Sequence, residues 1–349
     1  MIKQPKILVI RFSSLGDLIL MIPLLQTLRS YFPLAEIDLA TKSKYAGLFM
    51  DLEIIDRIHT LETGNLSELM KMRRLLADNE YDIVMDAHNV IRSNILYRTI
   101  SDGRKIQLRK EQIRKFLLIK WNLNMFRDIT SQYRKYMNLA EEIGVDGTDH
   151  PPPFQLPPEA AARAEDILSV NDNPGEPVIA VAPGARWKTK RWSEEKFIAA
   201  MEMLQGRGFN LVLTGGAAES ELAGRISESV SGAVINTAGE LTILETAAVL
   251  RRSDLLLTND SALLHLAELV NTPVLALFGP TVREFGFYPR LDRSRVLEID
   301  IGCRPCSRNG AKPCPHRVKA CLDYIEPERV VENAISILHE GNEKSEAWS

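Results

Sequence analysis

The chain alternates short apolar runs rich in β-branched residues with stretches whose apolar positions recur every three or four residues, the pattern of consecutive β-α-β units. Ile7–Ile10 reads as a buried strand ending in a Ser-Ser-Leu-Gly turn, after which Leu18, Met21, Leu25 and Leu28 recur at helical spacing. Pro23 either kinks that helix or marks its first turn. Strands at Glu36–Leu39, Asp56–Thr60 and Asp82–Asp86, with a helix over Leu66–Ala77, continue the alternation. Pro151, Pro152, Pro153, Pro157 and Pro158 interrupt it as a stiff linker. The alternation then restarts, with strands predicted at Val178–Ala182, Asn210–Thr214, Leu255–Thr258 and Val274–Phe278. The helices between and beside them are Glu194–Leu204, Glu219–Val230, Leu244–Arg251 and Ala262–Val270, and a last one spans Glu328–Leu338 behind Pro327.

These elements predict an α/β protein of two doubly wound, Rossmann-like domains: residues 1–150, a linker over 151–159, residues 160–325, a closing helix over 326–340 and a flexible tail over 341–349. A length of 349 residues suits two cores better than one. Two such domains about a linker imply a cleft where strand ends and helix N-termini converge.

Composition narrows the field. With 45% apolar and 26% charged residues the chain has an ordinary globular balance, and a net charge of −3 supplies no global field for nucleic acid. The apolar run Leu18–Leu28 falls short of the ~20 residues of a spanning helix. Arg11 and Asp17 precede it, which disrupts a signal-peptide core, so a cytoplasmic protein is expected. The four cysteines all fall between Cys303 and Cys321. In a reducing compartment they suggest metal or plain packing rather than disulfides. Cys303-x2-Cys306 is half a zinc site and His316 an alternative ligand, but Cys314 and Cys321 do not form the usual second pair, so reduced thiols packing a connection are expected.

Four segments carry candidate chemistry. In Thr258-Asn-Asp-Ser261 a strand ends, a turn follows and a helix begins with free amides, a ready diphosphate site. Asp260 would repel phosphate there, so it is expected to hold backbone amides or sugar hydroxyls. Alternatively, Asp260 and Ser261 only cap the helix. His265, four residues on, shares the face of Ser261 and is otherwise a structural histidine. The second segment, Pro183–Trp192, contains Gly184, which lets backbone approach a ligand, and the cations Arg186, Lys188, Lys190 and Arg191 beside Thr189. The competing account is a solvated basic loop, which its two tryptophans argue against. Third, Gly215-Gly216 leads into Glu219, whose carboxylate can accept ribose hydroxyls or merely complement a helix dipole. Fourth, Arg11-Phe-Ser13-Ser14-Leu-Gly16-Asp17 lacks the spacing of a Walker or dinucleotide loop and offers one carboxylate, a general base or an N-cap.

Together with Thr237-Ala-Gly-Glu-Leu-Thr242 and Phe278-Gly-Pro-Thr281, these segments resemble glycosyltransferase family 9, the lipopolysaccharide heptosyltransferases, over nearly the whole chain. The resemblance implies the two-Rossmann glycosyltransferase B (GT-B) fold, with acceptor on the first domain, donor on the second, and a last helix that commonly crosses back to the first. It implies inverting transfer from ADP-heptose to the inner core of lipopolysaccharide, with no cofactor and no catalytic metal. Asp17 matches the general base, Ser13, Ser14 and Gly16 the acceptor loop, and Gly184, Lys188, Thr189, Lys190, Gly215, Glu219, Asp260, Ser261 and His265 the donor side. Ala262 stands where many family members have glycine. The cysteine segment resembles one in some heptosyltransferases. A basic tract, Arg104–Lys120, interleaved with Phe116, Leu117, Leu118 and Ile119, is either an amphipathic element touching anionic lipid or phosphorylated acceptor, or an ordinary helix with one charged face. It admits transient contact with the cytoplasmic face of the inner membrane. The rivals are a sugar-nucleotide epimerase, a GT-B transferase with another donor, and a nucleotide-sugar binding module without turnover.

Overall fold

The computed structural model describes residues 4–145, 151–170, 173, 175–316 and 318–346, with side chains as far as 340. The predicted domain boundary at 146–150 and the last tail residues, 347–349, lie outside these. The chain divides into two compact units, Met1–Glu111 with Thr130–Pro157, and Gln112–Ile129 with Pro158–Ser349.

The first unit runs β1 (Lys6–Ile10), α1 (Leu15–Tyr31), β2 (Glu36–Lys42), β3 (Arg57–Leu61), α2 (Leu66–Ala77), β4 (Ile83–Asp86), α3 (Ile91–Thr99) and β5 (Arg104–Gln107). The next helix, α4 (Gln112–Trp121), belongs to the second unit, and α5 (Gln132–Glu141) returns to the first. All strand pairs are parallel, in the order β3-β2-β1-β4-β5. The run Leu18–Leu28 is buried throughout, which makes α1 a core helix and accounts for its apolar length. Pro23 sits inside α1 rather than at its start. It costs that helix one hydrogen bond, while burial on every side holds the helix together.

The second unit runs α6 (Pro158–Leu168), β6 (Val178–Ala182), α7 (Glu194–Gln205), β7 (Asn210–Leu213), α8 (Ser220–Ser229), β8 (Ile235–Asn236), α9 (Ile243–Arg251), β9 (Leu255–Asn259), α10 (Ala262–Leu269), β10 (Val274–Leu277), β11 (Arg295–Leu297), α11 (Ala320–Asp323) and α12 (Pro327–Glu346). Its parallel sheet has the order β11-β10-β9-β6-β7-β8. In both sheets the order reverses beside the first strand of the unit, at β1/β4 and at β6/β9. These are the switch points where loops diverge and ligands bind.

Two boundaries differ from the sequence reading. Pro158 opens α6 instead of ending the linker, because proline suits a first helical position. α12 continues through Glu346, into the stretch expected to be tail. It packs chiefly on α7, β9 and β10 of its own unit, with Val330, Val331, Ala334 and Ile337 buried in that core.

Candidate functional site

In the first unit the β1–α1 loop delivers Asp17 to the switch point. Ser14 is the N-cap of α1, and Asp17, three residues on, closes a capping box. The Ser14 backbone N–H and hydroxyl donate to Asp17 Oδ2 at 3.2 and 2.6 Å, and Arg11 Nη2 lies 2.9 Å from the same oxygen. The buried Tyr136 of α5 donates its hydroxyl to Oδ1 at 2.9 Å. Asp17 is thus the third-position partner of the cap and not the N-cap itself, and this leaves it compatible with a general base, because the cap occupies Oδ2 and leaves a lone pair on Oδ1. Burial raises the carboxyl's pKa, but the Arg11 charge and the bonds from Ser14 and Tyr136 outweigh it and bring the value down to about 2. Ser13 and Gly16 flank this cluster, half-buried.

Arg11 is itself buried, bonded to the Ala87 carbonyl and stacked over the Tyr136 ring at 5.3 Å. The loop after β4 brings His88 alongside, its Nδ1 accepting the Phe12 N–H at 3.4 Å, so the ring proton sits on Nε2. Burial first, then the charges of Arg11 and Lys110, lower its pKa to about 3, and the ring is neutral at physiological pH. Asp86 holds this loop, accepting from the His88 and Asn89 amides at 2.9 and 2.8 Å, from Ser93 Oγ at 3.0 Å and from Gln107 Nε2 at 2.9 Å. Tyr136 and His88 escaped the sequence reading: they lie far along the chain from Asp17, and no local spacing ties them to it.

In the second unit, loops after β6, β7, β9 and β10 converge. Asn259 ties two of them together, accepting the Trp192 N–H at 2.9 Å and donating to the Pro183 carbonyl at 2.8 Å. Trp192 is buried, with its indole N–H on the Ile325 carbonyl at 3.0 Å, so Pro183–Trp192 is an anchored loop rather than a solvated one. Lys190 Nζ lies 2.5 Å from Asp260 Oδ2, which also accepts the Thr281 hydroxyl at 2.6 Å. Asp260 thus holds a lysine and a threonine, where backbone amides or sugar hydroxyls were expected. Its carboxylate would repel a phosphate alone, but here it fixes the cation that would attract one.

Ser261 is the N-cap of α10, with Oγ accepting the Leu263 N–H at 3.3 Å and lying 3.2 Å from Thr258 Oγ1. His265 is buried against Phe287. Lys188 is exposed, and the Thr189 hydroxyl is taken by the Gly310 carbonyl. Glu219 closes the turn after β7 by accepting the Gly216 N–H at 3.1 Å, while Glu221 pairs with Arg225. Gly184 also has a packing role that the sequence did not show: a Cβ there would stand 2.2 Å from Glu219 Cγ. The missing side chain makes room for Glu219, and a Cβ on Gly215 would also crowd it, at 3.0 Å.

The cysteine segment contributes through other residues. Arg304 donates to the Gly279 and Thr281 carbonyls at 2.6 and 2.8 Å and pairs with Glu298 at 2.5 Å, holding the turn that holds Asp260. Gly310 abuts Lys190, where a Cβ would meet Cγ at 2.9 Å. All four cysteines are free thiols, and burial raises the pKa of Cys306 and brings that of Cys321 to about 11. Among the described residues no group of three or more His, Cys, Asp or Glu could hold a metal ion, and no helix is long and apolar enough to cross a membrane.

A family model described as glycosyltransferase family 9 (heptosyltransferase) matches residues 69–314. Lipopolysaccharide heptosyltransferase 2 of Salmonella typhimurium is 26% identical over 96% of this chain and 99% of its own length. Among solved structures, the family 9 glycosyl transferase of Veillonella parvula superposes with a TM-score of 0.76 at 22% identity, covering 97% of this chain and 99% of that one. The ADP-heptose lipopolysaccharide heptosyltransferase II of E. coli gives 0.73 at 24% identity with the same coverage. The two Rossmann-like units are thus those of the GT-B fold.

Proposed function

This chain belongs to glycosyltransferase family 9, and on that basis we propose that it transfers a heptose from ADP-heptose to the inner core of lipopolysaccharide, with inversion, at the cytoplasmic face of the inner membrane. The observation that carries the reading is Asp17: a half-buried carboxylate at the first switch point, ionised by Arg11 and aimed by Ser14 and Tyr136, with one lone pair left on Oδ1. Relatives of nearly equal length named as lipopolysaccharide heptosyltransferase 2 support it.

In the reaction the acceptor oxygen forms a bond to the anomeric carbon as the carbon–oxygen bond to the diphosphate breaks, and the electron pair leaves with ADP. The acceptor proton passes to Asp17. A carboxylate with a pKa of about 2 is a weak base, so it takes the proton late, once bonding to carbon has made the hydroxyl strongly acidic. Lys190, held by Asp260, and the amides at the start of α10 meet the charge that develops on the diphosphate. Glu219, backed by Gly184, takes the ribose hydroxyls. The cations around His88, namely Arg11, Lys110 and Lys42, suit an anionic acceptor.

Incubating the protein with ADP-heptose and either heptose-free or mono-heptosylated core, with excess chelator present, should add one heptose mass to one acceptor and release ADP. A changed donor without acceptor gain would favour an epimerase, and bound ADP with no release a binding module. Asp17→Asn should lower transfer about a hundred- to ten-thousandfold while leaving ADP affinity within about twofold, since ADP is held by the other unit.

A further inference from the structure

The helix α4 is built inside out. In a surface helix the apolar stripe faces the core and the charges face water. Here Lys115 turns inward, donating to the Phe285 carbonyl at 3.2 Å and lying over the Phe285 and Phe287 rings at 5.3 and 5.7 Å, with Leu118 buried beside it. Ile113, Phe116 and Trp121 are 76%, 55% and 64% exposed. Phe116 and Trp121 meet edge to face at 5.6 Å, forming one outward aromatic ridge. The chain beyond α4 continues the theme: Asn124 pins it to Glu284 at 2.8 Å, while Leu123, Met125 and Ile129 stay exposed. Lys115 and Leu118 anchor the underside, while the larger apolar side chains face outward, and an exposed patch of this kind marks a docking site.

The charges say what docks. Exposed Arg114, Lys120 and Arg127 stand among these apolar residues, and Asp128 is the one acid between Gln112 and Ile129. Aromatic and aliphatic side chains interleaved with cations match the headgroup layer of an anionic bilayer, where rings sink into the interface and cations reach lipid phosphates. A protein partner would call for buried hydrogen-bonding groups around the apolar centre, and this segment offers mainly apolar tips and long cations.

We propose that Gln112–Ile129 is the element by which this protein docks on an anionic membrane surface, with Phe116 and Trp121 inserted at the headgroup level. The inference rests on the proposed reading in one respect, that the acceptor is lipid-anchored and the enzyme gains from standing beside it.

The test is sedimentation of the full chain with vesicles of phosphatidylcholine alone and of phosphatidylcholine mixed with phosphatidylglycerol. The protein should pellet with the mixed vesicles, less so at high salt. The pair Phe116→Ser and Trp121→Ser should weaken binding at least about tenfold. Lys120→Gln with Arg127→Gln should erase the preference for the anionic vesicles. Both double variants should transfer heptose to a lipid-free core as the parent does. Vesicle binding unchanged by the aromatic pair, or no binding by the parent, overturns the proposal. So does a dimer that the aromatic pair converts to monomer with vesicle binding intact, which would make a second copy the occupant. Failure of the parent to modify lipid-free core would count against the transferase reading alone, because vesicle binding is measured without turnover.

Discussion

At the scale of single residues, Asp17 is governed by Arg11. Its pKa in the folded chain, about 2, lies below the ordinary value of 3.8. Ionised Asp17 therefore stabilises the fold by about 2 kcal/mol, fully above pH ~4, and this is lost as pH falls through ~2. It also means that Asp17 imposes no acid limb on activity near neutral pH. Arg11→Met removes the largest of the influences that offset burial, so the pKa of Asp17 should rise and an acid limb should move up into the kcat/KM profile. A profile unchanged in the variant would show that Arg11 does not set this proton. Tyr136→Phe removes one donor and should move the limb in the same direction by less. Asp17 and Arg11 were both visible in the opening motif, but the pairing was not, since nothing in Arg-Phe-Ser-Ser-Leu-Gly-Asp says that the arginine turns back into the core.

At the scale of elements, the donor side is a set of loops that brace one another. Gly184 after β6 gives Glu219 after β7 its space, so Gly184→Ala should displace that carboxylate. The expected result is a donor KM raised about tenfold, equivalent to ~1.4 kcal/mol, with a smaller change in kcat. In a Glu219→Ala background the same glycine substitution should cost little, since the obstructing side chain is gone. Additive losses in this double-mutant cycle would refute the packing argument. Most strands and helices of the second unit were legible from periodicity because each is buried on one face or throughout. The helix over Leu66–Ala77 was found residue for residue, as its Asn65 cap and its apolar stripe coincide. Short or polar elements such as β5, Arg104–Gln107, and β8, Ile235–Asn236, carry too few apolar positions to show a period. The bracing by Arg304 was hidden for another reason: the conspicuous residues of that segment are its cysteines.

At the scale of the molecule, the two doubly wound units were legible, and so were the switch-point loops that carry the candidate residues. The path of the chain between the units was not, because hydrophobic periodicity reports that an element is amphipathic without naming the surface it covers. α12 shows how much one such assignment matters. Val330, Val331, Ala334, Ile337 and Leu338 are buried in the second core, and the four larger ones contribute about 6–12 kcal/mol, comparable with the ~5–15 kcal/mol that holds a whole domain. A chain ending at Glu326 should therefore be insoluble, whereas one ending at Glu340 keeps all five and should melt close to the parent. Soluble yield and thermal melts by circular dichroism distinguish these outcomes.

The excursion of Gln112–Ile129 into the second unit also has a consequence for birth on the ribosome. The segment is translated well before Glu284, Phe285 and Phe287, against which it rests, and everything from Pro158 onward must follow, roughly 10–40 s of elongation at about 5–20 residues per second. Throughout that interval the first unit can close around its own sheet while an aromatic, cationic ribbon dangles from it without a seat. A nascent chain of this design invites early capture by a chaperone.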